Sequence, residues 1–188
     1  MTDPQPRAGM SRRTLIALIV PVVLIVGYFG VTATIRSHVD GLIQHSVGHP
    51  LPEFQLADRA GKSWSNADLR GKRAVLHFFR SKCGSCDAEA PAIREFEQRL
   101  PADVVLLHVM TDAVLGFPLE LTFATIDHEK FQRPVLMADA AFVNAFHQVK
   151  WSNVTPITYV VDATGTVRFG LRGKQTVASI EQALAAAK

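Results

Sequence analysis

Two cysteines, Cys83 and Cys86, are the only ones in the 188-residue chain, and they stand three apart within AVLHFFRSKCGSCDAEAP, residues 74–91. Sulfurs at this spacing can exchange electrons with another disulfide: a thiolate attacks, a mixed disulfide forms, and the second thiol releases the product. The run reads as a hydrophobic strand over residues 74–79, a short loop, and a helix that starts at the cysteines. A helix start presents unpaired N–H groups and a partial positive charge. Such a place favours thiolate over thiol. Cys83 is therefore expected to be the exposed attacking sulfur and Cys86, one turn further on, the resolving one.

Other chemistries are open to a CxxC pair. Structural zinc needs four ligands, and the chain has no further cysteine. CxxC beside a strand–helix pattern reads as a redox motif instead. A purely structural disulfide would close a loop of four residues, which constrains the unfolded chain only weakly.

Several pieces match in order: Leu51-Pro52-Glu53-Phe54-Gln55-Leu56, then Asp68-Leu69-Arg70-Gly71-Lys72, the strand, then CxxCxxExP as Cys83, Cys86, Glu89 and Pro91, and later Thr155-Pro156 before an apolar strand. With these the chain, from about Gly48 to its end, resembles membrane-anchored, extracytoplasmic thioredoxin-like proteins of the ResA/TlpA/CcmG (AhpC/TSA-redoxin) type. The resemblance implies a thioredoxin-like α/β three-layer sandwich with a mixed central sheet, and a thiol–disulfide oxidoreductase without cofactor or metal. It implies that Thr155-Pro156 is a cis-proline loop beside Cys83, where an extended partner segment could pair with the exposed backbone of Thr155; a trans proline at a strand start is the alternative. It implies that Glu89 influences cysteine ionisation and proton transfer, against a plain helix-start glutamate stabilising the dipole. His77 stands six before Cys83, where thioredoxins carry a buried acid and many ResA-like relatives an asparagine. It could exchange the resolving thiol's proton or be a satisfied core group. Lys82 replaces the usual tryptophan, and its cation either favours the thiolate or is screened by solvent.

The stretch from Leu15 to Ile35 is an uncharged run of 21 residues preceded by Arg12 and Arg13. As a helix it would span about 31 Å, the thickness of a bilayer core. The positive-inside rule then puts residues 1–13 in the cytoplasm and the rest outside. The expected layout is a cytoplasmic N-terminus over 1–13, a transmembrane anchor over 14–35, a juxtamembrane linker or short helix over 36–50 and the catalytic domain over 51–188. A cleaved signal peptide or a twin-arginine signal at Ser11-Arg12-Arg13 are the rivals, but the apolar run is longer than a signal core needs. The formal net charge of +3 partly reflects this topology signal. Outside residues 1–35 the charges nearly balance, so nothing points to nucleic acid.

The remaining segments read in chain order as a small hairpin over residues 53–65 and a helical turn over 66–69. After the cysteine strand come a helix over 86–100 kinked at Pro91, a buried strand over 104–110 and a partly helical crossover over 111–132. A strand over 134–138, a helix over 140–147, a hairpin of strands 157–162 and 167–171, and a closing helix over 176–187 complete the chain. Trp64 reads as packing, His128 as surface, and Arg94 and Glu97 as solvated charges. The expected partners are a protein disulfide substrate and a membrane or envelope electron donor, in envelope protein or cytochrome maturation. A thiol peroxidase would need PxxxTxxC, which Phe79-Arg80-Ser81-Lys82-Cys83 does not supply. A copper chaperone would use both thiolates as soft ligands, though relatives of that kind carry CxxxC.

Overall fold

The computed structural model describes residues 12–147 and 154–187. The expected cytoplasmic stretch lies outside them except for Arg12 and Arg13, as do Trp151, Ser152 and Asn153. The chain divides into two compact units between His38 and Val39. The first is the N-terminal part of a long helix, α1 (Arg12–Gln44), with Pro21 inside it. It is apolar all round, with Leu24 and Val26 about two-thirds exposed. From Leu15 onward α1 is long and apolar enough to cross a membrane. Two of its hydroxyls bond to the helix backbone: Thr32 donates to the Phe29 carbonyl and Thr34 to that of Gly30. Neither hydroxyl therefore depends on water for a partner.

The second unit begins inside the expected linker. From Val39 on, α1 belongs to the compact domain: Val39 and Ile43 are buried in its core, and Asp40 pairs with Arg172. Within the 36–50 stretch, Val39 and Ile43 bury apolar surface against the domain and the buried Ser46 hydroxyl donates to the Phe146 carbonyl. The contact is close at Gly170, where an added Cβ would stand 2.7 Å from Ile43 Cγ2 and 3.1 Å from the Tyr159 ring. Gly170→Ala should cost about 1–3 kcal/mol through overpacking, read as a lowered denaturant midpoint at unchanged m-value.

A short hairpin follows, β1 (Gln55–Ala57) against β2 (Ser63–Ser65), then one helical turn, α2 (Asn66–Leu69). Trp64 packs half-buried on the core and its indole N–H donates to Asp58. The central sheet has five strands in the order β5-β4-β3-β6-β7. β3 (Arg73–Phe79), β4 (Val104–Met110) and β5 (Val135–Met137) run parallel, β6 (Ile157–Val161) runs antiparallel to β3, and β7 (Val167–Arg172) runs antiparallel to β6. This is the mixed sheet expected from strand–helix alternation followed by a hairpin. β3 is buried on both faces, so period-two alternation assigns its side chains to opposite layers. Leu76 and Phe78 join Phe142, Val143 and Phe146 of α5 (Ala140–His147). Val75 joins Ile93 and Phe96 of α3 (Gly84–Gln98) and Ile180 and Leu184 of α6 (Val177–Ala186).

The crossover from β4 resolves into a 3-10 turn, Asp112–Leu115, and α4 (Leu119–Glu129). Gly116 ends the turn in the left-handed region with φ 70°, a conformation open to glycine at little cost.

Candidate active site

β3 and α3 together place the cysteines. Phe79 is the last residue of a strand buried from Ala74 onward, and the loop after it is held from the side by Asp112. That buried carboxylate accepts from the Ser81 backbone N–H at 2.8 Å, from the Ser81 hydroxyl, and from the Thr122 hydroxyl at 2.8 Å. Arg80 donates to the Ser81 and Lys82 carbonyls. Lys82 adopts φ 54°, which turns the chain sharply into the helix. Its ammonium lies over the Phe117 ring, 5.7 Å from the centroid.

Cys83 is the N-cap of α3, and Cys83 and Cys86 are joined in a disulfide. The Cys83 sulfur accepts from the Cys86 backbone N–H at 3.2 Å and from the Thr155 hydroxyl at 3.4 Å. The Ser85 hydroxyl lies 3.4 Å from the same sulfur and the Thr155 carbonyl 3.7 Å from it. The Thr155-Pro156 peptide bond is cis. One sulfur thus sits among donors and at a positive helix end, the surroundings in which a thiolate is favoured. Both cysteines are 3% exposed. The expectation of an exposed Cys83 gives way to a covered sulfur, because Thr155 and Ser85 pack directly on it.

Behind the pair runs a buried polar chain. Glu89, wholly buried in α3, lies 3.1 Å from His77 Nε2 and accepts from the Gln175 backbone N–H at 2.7 Å. His77 Nδ1 faces His108 Nδ1 at 3.1 Å, and His108 Nε2 lies 2.9 Å from Glu97. Glu97 also accepts from the backbone N–H groups of Gln132 and Arg133. Phe131 stacks on His108 at 4.1 Å between centroids, and Phe79 stacks on His77 at 5.6 Å.

Residues 47–169 match the family model described as the AhpC/TSA family. The chain belongs to the AhpC/TSA family. Among members and relatives, it is 28% identical to the thioredoxin-like protein YneN of Bacillus subtilis, over 73% of this chain and 78% of that protein. It is 26% identical to the thiol-disulfide oxidoreductase ResA of Geobacillus thermodenitrificans, over 76% of this chain and 79% of the relative. A solved thiol:disulfide interchange protein of the thioredoxin family from Chlorobium tepidum superposes with a TM-score of 0.62 at 23% identity, covering 73% of this chain and 94% of that one. That likeness shows the fold of this AhpC/TSA member: a thioredoxin-like α/β sandwich with a mixed central sheet.

The structure brings Cys83, Cys86, Thr155 and Pro156 together, and joins Glu89 to His77. Lys82 stands next to Cys83 in the chain but directs its charge to an aromatic ring. Three further residues escaped the sequence reading. Asp112 has no motif around it. His108 was hidden in an apolar run, although the parallel register pairs it with His77. Glu97, expected in solvent, is 4% exposed. The signal for it was present: Glu89, Ile93 and Glu97 are four apart, so the buried Ile93 carries both acids onto the inner face. Arg94 is likewise half-buried, donating to the Glu129 carbonyl at 2.9 Å.

The electrostatics of this chain follow from burial. Desolvation drives His108 down to about 4, with the Glu97 hydrogen bond opposing and the His77 charge assisting. Burial resists ionisation of Glu97, but the His108 hydrogen bond and charge and the Gln132 and Arg133 amides outweigh it, so its carboxyl lies below the usual range. A histidine depressed from 6.5 to about 4 is neutral when folded but takes a proton when unfolded across that window. Stability from this group should therefore fall by roughly 3 kcal/mol as pH drops from 6.5 to 4. Thermal melts at pH 7 and pH 4.5 check this, and His108→Asn should flatten the slope.

Proposed function

We propose that the Cys83–Cys86 pair exchanges electrons with the disulfides of partner proteins, with Cys83 attacking and Cys86 resolving. The chain is a thiol–disulfide oxidoreductase of the thioredoxin-like class. The observation that carries the assignment of roles is the donor set on the Cys83 sulfur at the start of α3. In the reduced protein the Cys83 thiolate attacks a partner disulfide and releases one partner thiolate. Cys86 then loses its proton and attacks Cys83, which forms the intramolecular disulfide and frees the second partner thiolate. Two electrons pass to the partner, and an electron donor in the membrane or envelope restores the dithiol. Glu89 with His77 takes the Cys86 proton; Thr155 and Pro156 form the shelf against which an extended partner segment lies.

The direction, reduction of partners in envelope protein or cytochrome maturation, is supported by the likeness to the ResA/TlpA/CcmG type. The apolar part of α1 anchors the domain, and Arg12 and Arg13 at its start support a cytoplasmic N-terminus with catalysis on the outer side. The test is trapping. Cys86→Ser, expressed in a bacterial envelope, should accumulate a Cys83-linked complex whose partner can be identified after reduction. Recovery of the variant without any Cys83-linked protein would contradict the proposal.

A further inference from the structure

His77 and His108 face each other through the same ring atom, Nδ1, at 3.1 Å. Two bare nitrogens at that distance repel, and two N–H groups collide, so the pair holds one proton. Which ring owns it follows from the far end. Glu97 receives the Gln132 and Arg133 amides and His108 Nε2, which is a set of donors that suits a carboxylate. His108 therefore presents Nε2–H to Glu97. Fully buried and under a stacked Phe131 ring, it stays neutral, and its Nδ1 is bare. The proton between the rings consequently belongs to His77 Nδ1.

We infer that Glu97 and His108 are positioning residues that lock His77 as its Nδ1–H form, so that one transferable proton rests between His77 Nε2 and Glu89 for exchange with Cys86. This deepens the oxidoreductase reading and rests on it. In the disulfide form the Glu89–His77 pair is net neutral, as acid and imidazole or as carboxylate and imidazolium. When a donor dithiol reduces the disulfide, two electrons go to the two sulfurs and both donor protons go to solvent. Cys86, one turn before Glu89 on the buried face of α3, takes the proton of the pair, and Cys83 remains a thiolate. A bare His77 Nε2 then faces an ionised Glu89. That bare nitrogen and carboxylate receive the proton back as Cys86 attacks the mixed disulfide. The lock thus speeds the resolving step. Among the described residues, the titratable groups facing His77 are Glu89 from α3 and His108 from β4; β6 sets Thr158 opposite His77 in register, and the Gln175 amide before α6 donates to Glu89.

The two substitutions at His108 separate this role from mere packing. In His108→Leu nothing accepts from His77 Nδ1, so His77 switches to its Nε2–H form and satisfies Glu89 without an extra proton. In His108→Asn the side-chain carbonyl accepts from His77 Nδ1 and keeps the lock without titrating. Imidazole nitrogen NMR on the 15N-histidine-labelled full chain in detergent reads the tautomer directly. The expected result is Nδ1–H at His77 in wild type and His108→Asn, and Nε2–H in His108→Leu. The pH profile for release of a mixed disulfide should move up by about one unit in His108→Leu alone. A wild-type His77 with bare Nδ1 overturns the inference even if a variant fails to fold. So does a folded His108→Leu with unchanged tautomer and profile. Absence of exchange in the wild-type protein would instead sink the oxidoreductase reading, while leaving the tautomers measurable.

Discussion

Cys83→Ser should abolish disulfide exchange, with turnover down at least about 10³-fold, whereas Cys86→Ser should still attack a partner once and then stall. The asymmetry follows from where the two sulfurs sit. Only Cys83 receives the Cys86 N–H and the Thr155 hydroxyl at the helix start. Serine cannot replace it, because an alkoxide is far less accessible than a thiolate at neutral pH. Among the described residues Cys86 has no such set of donors, and it attacks the Cys83 sulfur of a mixed disulfide already formed. A single-turnover assay with a disulfide-bonded peptide checks this: Cys86→Ser should give a stable mixed disulfide and Cys83→Ser none. Equal single-turnover attack by both variants would reverse the assigned roles.

The second large effect belongs to Glu89. Glu89→Gln keeps the shape and can keep both hydrogen bonds, its carbonyl accepting from the Gln175 amide and its NH₂ donating to His77 Nε2. It cannot carry a proton to or from Cys86. The resolving step should slow about 10²-fold, the lower range for loss of a positioned acid–base group. The melting temperature should change little, since no buried polar atom is orphaned. Stopped-flow measurement of mixed-disulfide release, beside a thermal melt, distinguishes this from general damage. A slowed attack by Cys83 with unchanged release would place Glu89 in a different role.

Much of this arrangement was legible in the sequence, and for identifiable reasons. The strand ending at Phe79, the start of the helix at the cysteines and the hairpin of β6 and β7 each carry their own local signal: apolar runs, a motif and a turn. The register of β4 against β3 carries none, so the meeting of His77 with His108 could not be seen. A histidine inside VVLLHVM reads as an interruption until the neighbouring strand supplies its partner. Asp112 stayed hidden for a similar reason, since its partners Ser81 and Thr122 come from other elements. The end of α1 read as a linker or short helix because its residues are mostly polar, and only Val39 and Ile43, four apart, mark the face that it buries.

The central claim is that surroundings built by the fold make one sulfur ionise readily. Alkylation of the reduced protein by iodoacetamide across pH 4 to 10, with mass spectrometry assigning the site, measures it directly. Cys83 should react as a thiolate with a pKa below the ~8.5 of free cysteine, and well ahead of Cys86. A Cys83 that titrates with free cysteine, or reacts no faster than Cys86, would contradict the account.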